Sequence, residues 1–351
     1  MENFLTYLEK NNKSFLEETF NDVDNLILAY LSYLHFPTKK TKLKYLDINK
    51  TTKISKNKEF IKRVVESKRF NEIEVCFPIE DTNDLEEKQF SAVTFLLPNN
   101  TMYISFRGTD STLTGWKEDF NMAFMMPVPS QIEALNYVEK IVRLISRDFY
   151  IGGHSKGGNL AVYAGCNINN NLTNRLIKIY SNDGPGFLKE FLTTSNYQSV
   201  KEKIEKIVPS SSIIGMLLYT NEHYKIIKSS ENGILEHDPF SWLVKDNSFI
   251  ILKELSDGTA YTNKVINDFI SSLSKKEREI FIDSLFTVLK STNLTTLDEI
   301  KKNFLIKIPN ILISIYKLDD VNKKYILKTI KALIKSCLTN LNLLIPKNRY
   351  Q

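Results

Sequence analysis

Residues 152–158 read GGHSKGG, a spacing that prepares a serine for nucleophilic attack. In the pattern GxSxG the serine stands at a sharp turn from a strand into a helix, and its hydroxyl is held out at the carboxyl end of a sheet. An apolar, strand-like run (148–151) precedes the turn and a helix-favouring run (159–164) follows it. The pattern predicts Ser155 as a nucleophile, and the alternative is a structural glycine turn.

Steric crowding at the turn explains why this segment is rich in glycine. Four of the twelve glycines in the chain fall within these seven residues. Side chains at Gly153 and Gly157 would collide where the strand and the helix nearly touch, and the turn forces the serine into a strained backbone conformation. The spacing is therefore what an elbow of this kind requires.

A serine hydroxyl needs a base to take its proton, and the chain has four histidines. His35 falls in an amino-terminal helical region, and His223 opens a strand at the wrong end of the sheet. His154 adjoins Ser155, so we expect its ring to point away from the hydroxyl and to orient or pack. His237 lies in a late loop that can return to the elbow, and serine before histidine is the expected chain order. We predict His237 as the base, against a structural loop histidine.

An acid must hold the imidazole in the right tautomer. In chain order it should lie between Ser155 and His237, after a strand. Asp183 fits because a strand-like run (176–180) leads to it and a glycine–proline turn follows. The next strand ends in VPSSS (208–212), which has no carboxylate. Asp183 is the predicted acid; Glu222 or Asp238 could substitute, and Asp183 could instead be a turn former.

The tetrahedral intermediate needs two hydrogen-bond donors. We predict the backbone amide of Lys156 as one, and that of Thr109 or Asp110, in the loop 106–110, as the other. Asp119 is predicted to brace this loop by pairing with Arg107, unless either charge is a solvated surface group. The Lys156 side chain, beside the nucleophile, either favours anionic substrates or reaches water.

The pattern along the chain predicts an α/β fold. Strand-like runs alternate with helical ones as far as residue 251, which indicates a mostly parallel sheet flanked by helices. The runs 91–97 and 101–106, joined by Pro-Asn-Asn, predict a hairpin. We therefore expect a catalytic domain over 1–251, including amino-terminal helices, and a helical extension over 252–351. The helices predicted in the extension cover 265–273, 277–289, 297–304, 308–316 and 323–344.

Composition narrows the class of protein. A content of 42% hydrophobic and 25% charged residues is that of an ordinary soluble protein. The three cysteines are too few and too far apart for a disulfide framework or a zinc knuckle. No signal region opens the chain, and no apolar run approaches the roughly 18 residues needed to cross a bilayer. We expect a cytoplasmic protein that uses no metal and no organic cofactor.

The charge of +6 is uneven, because basic residues exceed acidic ones by seven from residue 251 onward. Lysines on a solvated helix face need no partner. The alternative is peripheral contact between the basic, amphipathic helix 323–344 and a membrane. No aromatic and basic platform for nucleic acid is present.

Two segments carry a family resemblance. FRGT (106–109) followed by GHSKGG (153–158) resembles the class 3 lipases, in which these motifs supply the oxyanion hole and the nucleophile. The chain is more similar to a bacterial α/β-hydrolase family, the Mbeg-like domain of unknown function, through stretches 22–28, 115–121, 181–186 and 237–242 and over most of its length to about residue 300. This resemblance implies an α/β-hydrolase that uses Ser155, Asp183 and His237, and it implies no substrate. Class 3 lipases place their acid later, near 210–212, where this chain has serines.

Two functions follow as hypotheses. The first is a serine hydrolase, lipase-like or a carboxylesterase, that cleaves an acyl or lipid ester through an acyl-enzyme. The second is a catalytically silent lipase-like scaffold that binds a membrane or a partner through its basic helical tail.

Overall fold

The computed structural model describes residues 2–110, 112–256, 258–290 and 320–339. Within these ranges the strands form a large mixed sheet and a small two-stranded one. The strands are β1 (Thr41–Lys42), β2 (Glu74–Asn83), β3 (Lys88–Leu96), β4 (Thr101–Phe106), β5 (Asp148–His154), β6 (Leu176–Asn182), β7 (Ile204–Pro209), β8 (Tyr224–Ile227), β9 (Val244–Lys245), β10 (Ser248–Phe249) and β11 (Ile251–Leu252). The order of the large sheet is β1-β2-β3-β4-β5-β6-β7-β8-β11, and β9 pairs with β10.

The centre of the large sheet is parallel. Strands β4 to β8 run side by side in one direction, which brings their carboxyl ends to one edge. Antiparallel strands complete the sheet, with β11 beside β8 and β1 beside β2. Strands β3 and β4 form the predicted hairpin, in which Leu96 faces Met102. The mostly parallel sheet predicted from the alternation of strands and helices is confirmed.

Helices pack on the sheet and also form a separate cluster. They are α1 (Phe4–Lys10), α2 (Asp22–Leu31), α3 (Ile48–Thr51), α4 (Ser55–Glu66), α5 (Leu113–Asn121), α6 (Pro129–Leu144), α7 (Lys156–Asn167), α8 (Asn170–Thr173), α9 (Lys189–Leu192), α10 (Ser195–Val200), α11 (Thr259–Ser272), α12 (Lys275–Lys290) and α13 (Asp320–Thr339). Short 3-10 turns lie at Leu43–Tyr45, Lys201–Lys203, Ile214–Met216, Gly233–His237 and Pro239–Ser241.

Helices α2 and α7 cover opposite faces of the parallel centre. Asn25 of α2 accepts a hydrogen bond from the Tyr103 hydroxyl, while Gly165 of α7 lies against Ile179. Alternate residues of a strand point to opposite faces, so the tyrosines and the isoleucines of β4, β5 and β6 line different sides. A parallel sheet with helices on both faces and a strand–turn–helix at Ser155 is the predicted α/β-hydrolase fold.

The start of α2 follows directly from its sequence. Asn21 caps the helix by accepting from the amides of Val23 and Asp24, and Asp24 accepts from the Asn21 amide in return. This reciprocal pair is a capping box. The Asp24 carboxylate is fully buried, where it accepts hydrogen bonds from Arg69 at 2.5 and 2.7 Å and from the Tyr7 hydroxyl at 2.7 Å.

The chain divides into two compact units. The sheet unit comprises Met1–Asp81, Phe90–Gly108 and Ser130–Leu255, and the helical unit comprises Thr82–Gln89, Thr109–Pro129 and Ser256–Gln351. The sequence places the boundary of the domains after residue 251. The helical unit instead also includes two earlier segments, 82–89 and 109–129, because α5 packs on α12.

The helical unit has a small apolar core of its own, formed by Leu113, Phe124, Ile282 and Phe286. Beside this core Lys117 is buried and pairs with Asp283. The predicted helices 265–273 and 277–289 are present as α11 and α12, and 323–344 is present as α13 as far as Thr339. The predicted helices 297–304 and 308–316 and the end of the last one lie outside the described residues.

Across the part of the chain that the structure describes, none of the helices combines the length and apolarity that a bilayer crossing requires.

Candidate active site

Ser155 lies in a strained turn between β5 and α7. Its backbone has φ 58° and ψ −131°, a conformation that L-residues rarely adopt. A Cβ at Gly153 would lie 2.4 Å from the carbonyl carbon of Gly157, and a Cβ at Gly157 would lie 2.1 Å from the Phe106 oxygen. Since no side chain fits at those distances, both glycines are required by the close approach of strand, helix and neighbouring strand.

A buried polar network anchors this turn. The Ser155 amide donates to the carbonyl of Asn182 at 2.9 Å, and the Asn182 side chain donates to the carbonyl of Gly153 at 3.1 Å. The amides of Asn182 and Asn25 hydrogen-bond each other, and Tyr103 donates to Asn25. All of these side chains are buried. The network holds the elbow to β6 and α2, and the elbow motif itself does not reveal it.

Asp183 and His237 meet at the carboxyl edge of the sheet. Asp183 directly follows β6 and is fully buried, and His237 ends the 3-10 turn Gly233–His237. The imidazole Nδ1 lies 2.6 Å from the Asp183 Oδ2. Because an ionised carboxylate can only accept, Nδ1 carries the hydrogen and Nε2 keeps its lone pair. This is the tautomer that a general base for a serine requires.

The second oxygen of the carboxylate also has a donor. The Ser212 hydroxyl donates to the Asp183 Oδ1 at 2.5 Å and accepts from the Gly215 amide at 3.1 Å. Ser212 lies in the segment after β7 that has no carboxylate. The serine there does not replace an acid; it holds the one that follows β6. The sequence shows this serine, but nothing local indicates its partner.

The side chain of His154 contacts His237 and Tyr33. Its Nε2 is 2.9 Å from the carbonyl oxygen of His237, and its Nδ1 is 3.0 Å from the Tyr33 hydroxyl. Burial, and secondarily the nearby His237, lower the pKa of His154 well below its ordinary value, so the ring is neutral. A carbonyl accepts only, hence Nε2 donates to His237 and Tyr33 donates to Nδ1. The orienting role predicted for His154 is compatible with these contacts.

The alternative acids have other partners. Asp238 pairs with Lys56 on the surface. Glu222 is buried and accepts from the Tyr197 hydroxyl; burial opposes its ionisation, but the charge of Lys206 and hydrogen bonds outweigh this and lower its pKa. In the described chain neither carboxylate hydrogen-bonds His237.

Two backbone segments border Ser155. The amide of Lys156 is the first of α7, at the positive end of the helix dipole. The backbone at Gly108 passes so near the elbow that a Cβ there would lie 3.0 Å from the Ser155 Cβ and 2.7 Å from the carbonyl oxygen of His154. The Lys156 side chain is buried, so the alternative in which it reaches water is wrong.

The remaining predicted residues lie close to these in sequence. Thr109 and Asp110 belong to the helical unit, and their roles as oxyanion donors stay predictions. The Thr109 hydroxyl donates to Asp119, and Arg107 donates to Glu80 at 3.2 Å. The pairing of Arg107 with Asp119 also stays a prediction. Among the described residues, no group of three or more histidines, cysteines and carboxylates is arranged to hold a metal ion.

A family model described as Mbeg1-like matches residues 64–287. The M37 lipase crystal structure is 17% identical over 56% of this chain and 70% of its own, with a TM-score of 0.37. Two Rhizomucor miehei lipase propeptide complexes, a deletion mutant and the native form, are 16% and 17% identical, cover 48% and 46% of this chain and 58% of their own, and have TM-scores of 0.35 and 0.32. No curated protein sequence matches the chain.

Proposed function

The chain belongs to the Mbeg1-like family, and we propose that it is a serine hydrolase that cleaves an acyl ester, in the first place a lipid ester. Ser155 is the nucleophile, His237 the general base and Asp183 the acid that orients it. The hydrogen bond of 2.6 Å between Asp183 and His237 carries this proposal. It supplies the tautomer needed for proton transfer, on the same sheet edge as a serine held at a positive φ.

The reaction has two halves. His237 Nε2 takes the hydroxyl proton while the Ser155 oxygen attacks the carbonyl carbon of the ester, and the carbonyl π electrons move to its oxygen. The Lys156 amide donates to this oxyanion, and the sequence assigns the second donor to Thr109 or Asp110. Collapse of the intermediate breaks the bond to the alcohol oxygen, which receives the proton from His237. Water then attacks the acyl-enzyme, with His237 again as the base, and the carboxylic acid product is released.

The choice of an ester rests on the motifs FRGT and GHSKGG, which resemble those of class 3 lipases. The buried carboxyl group of Asp183 supports hydrolysis by a serine in general, because a carboxylate beside Nδ1 stabilises the imidazolium that forms during attack.

A fluorophosphonate probe tests the nucleophile. The wild type should be labelled on Ser155, located by peptide mass, and should hydrolyse p-nitrophenyl esters from a series of chain lengths. Ser155→Ala should lose both properties. Ser199→Ala, which removes an exposed hydroxyl, is the matched control and should behave as the wild type. Equal labelling of the wild type and Ser155→Ala would end the proposal.

Binding to an anionic membrane, with or without catalysis, is the second candidate function. On α13 the side chains of Leu333, Ile334 and Leu338 are exposed, and Lys331 and Lys335 are exposed near them. Apolar groups beside cations suit the surface of an acidic bilayer. The chain should sediment with phosphatidylserine vesicles and less with phosphatidylcholine ones, and Lys331→Glu with Lys335→Glu should reduce the difference. If the wild type and the double variant sediment equally with phosphatidylserine vesicles, this candidate function is excluded.

A further inference from the structure

One short loop contacts Asp183 and the residue that precedes His237. Residues 210–212 are three serines that directly follow β7. Ser212 donates to the Asp183 carboxylate, as described above. Ser210 and Ser211 turn to a different residue, the Glu236 carboxylate, which immediately precedes His237.

Glu236 is almost fully buried, which has a cost unless its carboxylate is hydrogen-bonded. The Ser210 hydroxyl lies 3.1 and 3.2 Å from its two oxygens, and the Ser211 amide donates at 2.5 Å. Its backbone carbonyl also accepts from the indole nitrogen of Trp242 at 2.8 Å. Glu236 is therefore secured on both its side chain and its backbone, although its carboxylate does not contact the imidazole.

We propose that Glu236 and Ser212 are positioning residues that align His237 with Asp183 through the serine loop 210–212. This inference rests on the proposed hydrolase function. Ser212 sets the carboxylate by holding the oxygen that the imidazole does not use. Glu236 sets the imidazole by fastening the peptide next to it to the same loop. Both ends of the hydrogen bond between Asp183 and His237 are thus connected to one segment, residues 210–212.

The arrangement makes a specific demand on position 236. The donors are the Ser210 hydroxyl and the Ser211 amide, and both are uncharged. The loop therefore needs a hydrogen-bond acceptor of the right length at position 236, and this acceptor need not carry a negative charge. A glutamine can accept from the Ser211 amide with its oxygen and donate to the Ser210 hydroxyl with its nitrogen. With alanine at position 236, the Ser210 hydroxyl and the Ser211 amide lose this acceptor. The turn that carries His237 is then no longer fastened to the loop 210–212.

Steady-state kinetics on p-nitrophenyl esters test this demand. Glu236→Ala should lower kcat by roughly ten- to hundredfold with KM within about twofold, since misplacement of a base affects the chemical step. Glu236→Gln should restore most of kcat. Ser212→Ala should have a lower kcat than the wild type. Ser212→Thr keeps the hydroxyl and should have a kcat close to that of the wild type. Glu231→Ala removes an exposed carboxylate from the segment between β8 and the turn Gly233–His237, and it should match the wild type.

Proton NMR provides a measurement that needs no turnover. The strongly hydrogen-bonded Nδ1 proton of His237 should give a low-field resonance that His237→Gln removes. This resonance should persist in Ser155→Ala and in Glu236→Gln, and it should shift or broaden in Glu236→Ala and Ser212→Ala. Unchanged resonances and kinetics in both alanine variants, with thermal unfolding as in the wild type, would overturn the positioning role. An inactive wild type with the predicted NMR changes would instead overturn the hydrolase function alone.

Discussion

The Asp183 Oδ2 and the His237 Nδ1 are 2.6 Å apart although 54 positions separate the two residues in the chain. They meet because β6 and β8 are parallel strands of one sheet, so the segments that follow them start from the same edge. The contact fixes the imidazole tautomer and leaves Nε2 as an acceptor.

Asp183→Asn tests the acid directly. An amide at this position can present its nitrogen to the imidazole and favour the wrong tautomer, so kcat for ester hydrolysis should fall by about 10⁴-fold. Binding of substrate should change little. Asp238→Asn alters an exposed carboxylate next to His237 and should leave kcat within about twofold. If Asp238→Asn is the inactive variant, the acid has been assigned to the wrong residue.

Gly157→Ala tests the packing of the elbow. The new methyl group would lie 2.1 Å from the Phe106 carbonyl oxygen, which belongs to backbone and cannot move aside. We expect a loss of about 1–3 kcal/mol or more in the free energy of unfolding, together with weaker fluorophosphonate labelling. Gly233→Ala is the control, because Gly233, unlike Gly157, has a positive φ but has open space around it. It should cost only the backbone strain of about 1–2 kcal/mol and spare the labelling. Labelling of Gly157→Ala as strong as that of Gly233→Ala would contradict the steric argument.

His154 should make stability depend on pH. Burial and the neighbouring His237 hold the pKa of His154 well below 6.5, whereas in the unfolded chain the ring takes up a proton near that value. The unfolded state then binds more protons below pH 6.5, so the free energy of unfolding falls as the pH decreases, by up to about 1.4 kcal/mol per pH unit.

Urea denaturation at several pH values checks this sign. His154→Gln does not titrate there, and its free energy of unfolding should fall less steeply between pH 6.5 and 5 than that of the wild type. The other titrating groups are common to both proteins, so the difference in slope isolates His154. Parallel curves would show that His154 is protonated in the folded state as it is in the unfolded one.

The buried pair of Asp24 and Arg69 should be needed for stability. Both side chains have no exposed surface, and the guanidinium donates twice to the carboxylate. Arg69→Met leaves a buried carboxylate without its cation, so we expect a loss of about 3–5 kcal/mol in the free energy of unfolding. Adding Asp24→Leu should recover part of this loss because it removes the stranded charge.

Arg143→Met is the control for this pair. Arg143 forms an exposed pair with Glu139 one helical turn away, and such pairs contribute about 0.3–0.5 kcal/mol. The midpoint of urea denaturation should therefore change little in Arg143→Met and greatly in Arg69→Met. Similar midpoints for the two variants would mean that the buried pair adds no stability.

Much of the fold could be predicted from local pattern. The hairpin of β3 and β4, the amino-terminal helix α2 and the strand–elbow–helix around Ser155 all depend on neighbours in the sequence, and all are present. The extent of the helical unit could not be predicted, because it depends on the packing of α5 against α12, which are far apart in the chain.

The candidate site shows the same division. Ser155 is marked by its glycines, whose absence of a side chain is a local steric requirement. Ser212, Glu236 and Tyr33 carry no such mark, since their types are common and their partners are distant. Nothing near them in the sequence distinguishes a serine that holds an acid from one that faces water.

The amino-acid sequence by itself determined where the chain turns sharply and presents a serine, because glycine spacing and the preferences of strands and helices act over a few residues. Only the tertiary structure decided which carboxylate meets His237, that His154 is neutral and that the serine loop 210–212 contacts Asp183 and Glu236. These outcomes depend on burial and on contacts between the ends of different strands. A side chain's partner and its loss of water are properties of the assembled sheet.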